Sequence, residues 1–373
     1  MDGIAMTLET LRGWCSRYWW LVLSLTMLTA NLATYWGLPG GMETVFRFLD
    51  GPLYVYVAKT LYLPYADLHF VDFGMAPEHF SSYLPAYPFL IRLLPLITLG
   101  DYQWAMVLAT NLSAMLAVVL FYRVLVVYDM VVSPLWTAVL FCFFPARWFI
   151  YHSVGASEPL FLCFVFAAFL ADQRRCVGLV VLFILLASVT RIVGILLVPV
   201  FAVLWFLRRD WRALFLLPLS GTGLLATFVV YEHVFGSFFA YFDRQGILLS
   251  PIPFLSFKDS MGPSKEITEF YYFTYVLYGA GVLLLWRHRE VFLYCAVFYV
   301  FYAFFHGDDL ARMLVTIAPF ALLVGYDRVL SQPAFRLALP GIIALDLFYA
   351  WGYIPWNLWP TEAQARLLEL LAR

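Results

Sequence analysis

The chain has 373 residues, of which 64% are hydrophobic, 20% aromatic and only 13% charged, roughly half the charged share of a soluble domain. No water-soluble core of this length hides so much Leu, Val and Phe, whereas a bilayer solvates helices that are apolar all round, so composition excludes a soluble protein and predicts an integral membrane one. The formal net charge of -1 leaves no electrostatic footprint for nucleic acid, so none is expected as a partner, whereas membrane lipids are.

Cys15, Cys142, Cys163, Cys176 and Cys295 form neither a disulfide framework nor a CxxC metal pattern. The first apolar run, 18–35, follows Arg12 and Arg17 as a signal peptide would. It lacks a small-residue cleavage site, so a retained first helix is expected. Further spans are expected near 102–125, 133–150, 158–171, 177–190, 192–207, 213–235, 270–286, 291–305, 311–326 and 337–354, eleven in all. Residues 1–373 thus read as a single polytopic unit with no separate soluble domain.

The run 83–99 is expected on the outer face rather than across the bilayer, because Pro85, Pro88, Pro95 and Arg92 make it a poor spanning helix. The run 177–207 exceeds the roughly 20 residues a bilayer needs and is expected to fold back near Arg191. Arg12/Arg17, Arg123, Arg174/Arg175, Arg208/Arg209/Arg212, Arg287/Arg289 and Arg328/Arg336 then share one side, which the positive-inside rule makes cytoplasmic. The remaining polar groups converge on the other side: an external loop 36–100, the turn 147–158, Arg191, a second external loop 236–269, and His306, Asp308, Asp309 and Arg312. The tail 355–373 reads as an interfacial amphipathic helix.

The stretch 42–95 mixes ionisable and aromatic residues beside the membrane, and Asp50 is its candidate base. Apolar Leu53, Val57 and Leu61 recur at helical spacing, and proline favours the first helical position, so a helix is expected from Pro52 with Asp50 just before it. The helix dipole favours a carboxylate there, able to take a proton from a sugar hydroxyl. An N-cap, or a partner for Arg47, is the competing role. Glu78 and His79, with Tyr83, Tyr87 and Arg92 following, suit a polyhydroxylated ring or a phosphate; solvated loop residues would look the same. Asp67, His69 and Asp72 alternate in a loop without Cys or a second His pair, which is a poor metal site, so no metal or other cofactor is expected.

Glu158 opens an apolar span with Pro159, after Ser157 as a possible N-cap. A carboxylate at the lip of a span faces a cavity or a partner, here Arg147 or His152. Arg191 has apolar sequence on both sides, costly in lipid by about 2.5–3.5 kcal/mol at a helix centre, so it marks a phosphate site or a structural ion pair with Glu158 or an Asp. Arg312 repeats the theme at another outer helix start. The aromatics of 231–245 belong to the interfacial belt or stack on a sugar.

Together these residues resemble the polyprenyl-phosphate-sugar-dependent glycosyltransferases of the GT-C class, most closely the GPI-anchor mannosyltransferase (PIG-V) group and its prokaryotic relatives. The resemblance is carried by Asp50 in Phe48-Leu49-Asp50-Gly51, the aromatic stretch from Leu84 to Arg92, Phe144-Pro145-Ala146 ahead of Ser157-Glu158, Thr190-Arg191, the run from Phe235 to Gln245, and the run from Arg312 to Phe320, in the family's order. Leu49 stands where the group usually has Trp, and Ile192-Val193-Gly194 where an Asn usually follows the arginine. The resemblance implies an all-α GT-C-like bundle and an inverting transfer of a sugar, mannose in that group, from a polyprenyl-phosphate donor to a lipid or glycan acceptor. It assigns Asp50 as general base, with Arg191, Arg312 or His79 on the phosphate and Glu158 or Glu78 on sugar hydroxyls or the arginine. The expected setting is a prokaryotic plasma membrane with the site outside, or the endoplasmic reticulum membrane in a eukaryote. A transporter or lipid flippase, or a non-catalytic partner of a glycosyltransferase, are the competing classes; a pathway would distribute charge through the bilayer depth.

Overall fold

The computed structural model describes residues 17–62, 76–245, 249–258, 265–305 and 309–372. Asp67, His69, Asp72, His306 and Asp308 lie outside these. Among the described residues the chain is helical, and two isolated backbone bridges, Phe48 with Leu358 and Leu249 with Phe305, take the place of any sheet. Tyr102–Val127, Trp211–Phe235 and Pro333–Trp356 are long and apolar enough to cross a membrane. The other expected spans are shorter, interrupted or less apolar, so helix length does not by itself reproduce eleven crossings. The segment expected at 133–150 is two helices, Pro134–Phe141 and Ala146–Tyr151, because Pro145 has no N–H with which to continue the first. The one expected at 311–326 is a broken run, Leu310–Met313, Leu314–Thr316 and Pro319–Val324, interrupted ahead of Pro319.

The Glu158–Gln173 helix lies at the centre and is buried on nearly every face, between Tyr102–Val127 and Val177–Ser188. At the periphery, Pro333–Tyr353 buries little beyond Asp346 and Ala350 and presents Leu337, Leu345 and Phe348 outward, as a helix facing lipid must. The fold-back at Arg191 is present: Val177–Ser188 ends, Arg191 takes an extended backbone (φ -143°, ψ 132°), and Ile192–Leu196 leads into Leu197–Leu207. Gly194 permits it, since a Cβ there would lie 2.4 Å from the Ala187 carbonyl carbon.

The charges separate to two ends. Glu158 and Asp172 stand 14 residues apart on the central helix, about 21 Å at 1.5 Å per residue. At the Asp172 end Arg208 bonds Asp172 (2.7 Å) and Glu290 (2.9 Å), the Tyr128 hydroxyl reaches the Phe169 carbonyl, and Arg123 lies over Trp19. At the Glu158 end Asp50, Arg191 and Arg312 gather. Of the loop arginines expected to share one side, Arg123 and Arg208 are the two seen in these contacts.

Asp50 reaches that end through a close backbone crossing. A Cβ on Gly155 would lie 2.9 Å from the Gly51 Cα and 2.3 Å from the Met106 sulfur, so only glycine lets the two segments touch. Gly155→Ala is expected to destabilise by about 1–3 kcal/mol through overpacking, lowering the midpoint of thermal unfolding in detergent. Gly178→Ala, whose Cβ meets open space on a helix, should leave that midpoint unchanged or raise it; equal behaviour of the two variants would contradict the crossing.

Candidate functional site

Asp50 occupies the N-cap position of Gly51–Thr60, a helix that begins one residue earlier than expected, at Gly51. Neither competing role is filled. The Asp50 side chain makes no capping bond, and Arg47 turns away to the Trp359 carbonyl at 2.9 Å from its Nε. Arg312 Nη2 instead lies 2.7 Å from Asp50 Oδ2, and the Tyr83 hydroxyl donates to Oδ1 at 3.2 Å. The turn that presents Asp50 is braced by the C-terminal segment: Leu49, held at φ 42°, donates its N–H to Asn357, and Trp359 Nε1 donates to the Leu49 carbonyl.

Glu158 is 1% exposed and receives both arginines on a single oxygen, Arg191 Nη1 at 2.8 Å and Arg312 Nε at 2.5 Å. The expected partners Arg147 and His152 are elsewhere. They are five residues apart and leave their helix on different faces: Arg147 lies over Tyr353 (4.2 Å) and 3.5 Å from Asp309, while His152 is held between Asn31 Oδ1 (2.6 Å) and the Cys142 carbonyl (3.1 Å). Of the two readings of Arg191, the ion pair with Glu158 is formed. Ser157 stands at the N-cap without capping; its Oγ accepts from Tyr54 (3.0 Å) and Arg191 (3.3 Å).

The result is an alternating row, Asp50, Arg312, Glu158, Arg191, continued through Tyr151, whose ring lies under Arg312 at 4.4 Å and whose hydroxyl donates to Asp309 at 3.1 Å. Two atoms in the row are buried without a partner among the described residues, Glu158 Oε2 and Arg191 Nε, one acceptor and one donor. A buried unsatisfied polar atom costs about 1–3 kcal/mol, which a hydroxyl or phosphate ligand would recover.

Tyr83 joins the row directly; burial first, and the Asp50 carboxylate second, push its phenol well above the usual range, so it remains a donor. Tyr87, expected to bind ligand, has no exposed surface: its hydroxyl bonds Thr110 Oγ1 at 2.5 Å and its ring meets Tyr54 edge-on at 4.8 Å, so it backs the wall of the site. His79 is half-buried with its ring 5.9 Å from that of Tyr83, and Glu78 is exposed on Pro77–Ser82. Arg92 bonds the Ala58 and Lys59 carbonyls at the C-terminal end of the Asp50 helix, a capping role. Tyr54, Ser157, Tyr151 and Asp309 are site residues that sequence reasoning missed or gave other roles. Tyr54, four residues after Asp50 and so on the same helix face, carried a readable signal. Among the described residues no three His, Cys, Asp or Glu side chains are grouped to hold a metal.

No protein-family model and no curated protein matches this chain. Among solved structures, ArnT from Cupriavidus metallidurans bound to undecaprenyl phosphate matches with a TM-score of 0.56 and 16% identity, over 87% of this chain and 63% of that one. The same protein in the apo state matches at 0.48 with 16% identity (96% of this chain, 76% of that one). Archaeal oligosaccharyltransferase AglB from Archaeoglobus fulgidus, in complex with an inhibitory peptide and a dolichol-phosphate, matches at 0.47 with 13% identity (95% and 56%). The chain spans about 63% of the undecaprenyl-phosphate-bound ArnT structure's length. At this identity the likeness is one of fold alone, a helical bundle shared with the undecaprenyl-phosphate-bound structure.

Glu158→Gln would leave two buried guanidinium groups facing one another without their shared anion. It is expected to cost about 3–5 kcal/mol and to lower the unfolding midpoint, with part of the loss restored by adding Arg191→Met. A cycle in which the two losses simply add would show that Glu158 and Arg191 are not coupled.

Proposed function

We propose that this protein is an inverting glycosyltransferase that moves a sugar, mannose on the sequence resemblance, from a polyprenyl-phosphate donor to a lipid or glycan acceptor at the outer membrane face. The observation that carries the reading is the alternating charge row with Asp50 at its open end: of the two carboxylates, Asp50 is 23% exposed and Glu158 1%. A base must meet solvent-borne or lipid-borne acceptor, and a phosphate anchor must lie behind it; a partly exposed carboxylate ahead of two buried guanidinium groups supports that order. The likeness in fold to a protein solved with undecaprenyl phosphate supports a lipid-phosphate donor.

In this mechanism Asp50 accepts the proton of an acceptor hydroxyl as that oxygen attacks the anomeric carbon. The bond from that carbon to the donor phosphate oxygen breaks on the opposite face, its electron pair leaving with the lipid phosphate, so one displacement inverts the centre. Arg191, through the Nε that has no partner among the described residues, and Arg312 stabilise the charge developing on the phosphate. Glu158 holds both guanidinium groups in place and offers Oε2 to a sugar hydroxyl. No metal takes part. Charge on the central helix is confined to its two ends, with no Asp, Glu, Lys or Arg between Glu158 and Asp172, which supports the transferase over a transporter, although Pro333–Tyr353 buries one carboxylate, Asp346.

Transfer of radiolabelled sugar from polyprenyl-phosphate-mannose into a membrane lipid fraction, by purified protein in detergent with EDTA, tests the reading. Wild type should transfer label, and isosteric Asp50→Asn should lose roughly 100- to 10,000-fold of the rate. Undiminished transfer by Asp50→Asn would remove Asp50 as base. No transfer by wild type from mannose, glucose or galactose donors would remove the transferase assignment.

A further inference from the structure

Arg312 serves two carboxylates at once, and they do not depend on it equally. Its Nε bonds Glu158 Oε1 at 2.5 Å, but Glu158 also holds Arg191 at 2.8 Å on the same oxygen. Its Nη2 bonds Asp50 Oδ2 at 2.7 Å, and among the described residues Asp50 has no other ion pair, only the Tyr83 hydroxyl at 3.2 Å. If an anion takes Arg312 Nη2, Glu158 keeps a cation and Asp50 loses its own. The groups facing this exchange are Tyr83 and Tyr54 from the Asp50 side, Glu158 and Arg191 from the central helix and the fold-back, and Tyr151 and Asp309 beside Arg312.

We infer that the donor's lipid phosphate and Asp50 compete for Arg312, so that arrival of the donor is the event that releases Asp50 to act as a base. The inference rests on the transferase reading and goes past it: Arg312, besides meeting the phosphate, ties the readiness of the base to occupancy of the donor site. A carboxylate held by a guanidinium gives up a charge-assisted hydrogen bond on accepting a proton; transferred to the phosphate, the guanidinium no longer imposes that loss. Acceptor deprotonation is thereby confined to the donor-loaded site, where the alkoxide has an anomeric carbon to attack. The row holds two carboxylates and two guanidinium groups, so it has no spare positive charge waiting for the phosphate. Arg191 Nε is a donor left open among the described residues, but an anion that takes Arg312 Nη2 does so by displacing Asp50.

Competition has a signature that damage to the fold lacks. If Asp50 competes with phosphate for one guanidinium, removing its charge must tighten phosphate binding, whereas a loosened structure weakens it. Equilibrium binding of undecaprenyl phosphate, which carries no sugar and cannot turn over, is measured on the full-length protein in detergent by quenching of intrinsic tryptophan fluorescence. Asp50→Asn is expected to bind about 5-fold more tightly than wild type, or better, and Arg312→Gln to bind at least severalfold more weakly. Asp129→Asn removes the same charge from the exposed turn after Tyr102–Val127, at a left-handed backbone (φ 49°) that Asn accepts, and should bind as wild type does. Equal or weaker binding by Asp50→Asn than by a binding wild type overturns the competition and leaves the transferase reading standing. Equal tightening by Asp129→Asn assigns the effect to net charge and also overturns it. A wild type that binds no undecaprenyl phosphate overturns both proposals.

Discussion

A carboxylate with 1% of its surface exposed, at the head of an apolar helix, is stable only if cations come to it. Glu158 draws two, from segments more than a hundred residues apart in sequence, and both land on one of its oxygens. That demand organises the outer end of the molecule. It brings the Arg191 fold-back and the Arg312 segment against the central helix, and Arg312 in turn reaches Asp50. A single buried anion thus sets the spacing between the candidate base and the candidate phosphate site.

The scaffold meets this demand by close backbone contact more than by side-chain bulk. Gly51 and Gly155 touch so that the Asp50 helix can lie beside the turn leading to Glu158, and Gly194 packs on Ala187 so that Arg191 can sit at the apex of a reversal. Leu49 is kept at positive φ by bonds to Asn357 and Trp359, which means that the last described segment of the chain supports a turn near its beginning. Tyrosines complete the shell. Tyr54 meets both Tyr83 and Tyr87 edge-on at about 5 Å, giving Asp50 a rigid, mostly apolar surround in which charge interactions are stronger than in water.

The four charges of the row were legible because they are anomalies. Asp50, Glu158, Arg191 and Arg312 each put an ionisable group at the edge of an apolar run, where it is expensive, and the positive-inside bias placed them on a common side. Their pairing was not legible. Arg147 and His152 lie closest to Glu158 in sequence and were the natural partners, yet helix phase directs them to Asp309 and Asn31. Tyr87 looked like Tyr83, four residues earlier, but turns into the core to reach Thr110.

Helix content and the reversal at Arg191 followed from hydropathy and length, since a run of about 30 apolar residues exceeds what one crossing requires. The interruptions near Pro145 and Pro319 were marked by residues that cannot donate a backbone hydrogen bond. By itself the sequence determined a helical membrane protein, the two polar ends and the identities of the four charges, because transfer of each residue between water and hydrocarbon is a local property. Only the tertiary structure decided which cation serves which anion, because ion pairs form between side chains brought together by packing, and no period in the chain encodes a contact between residues 50, 158, 191 and 312.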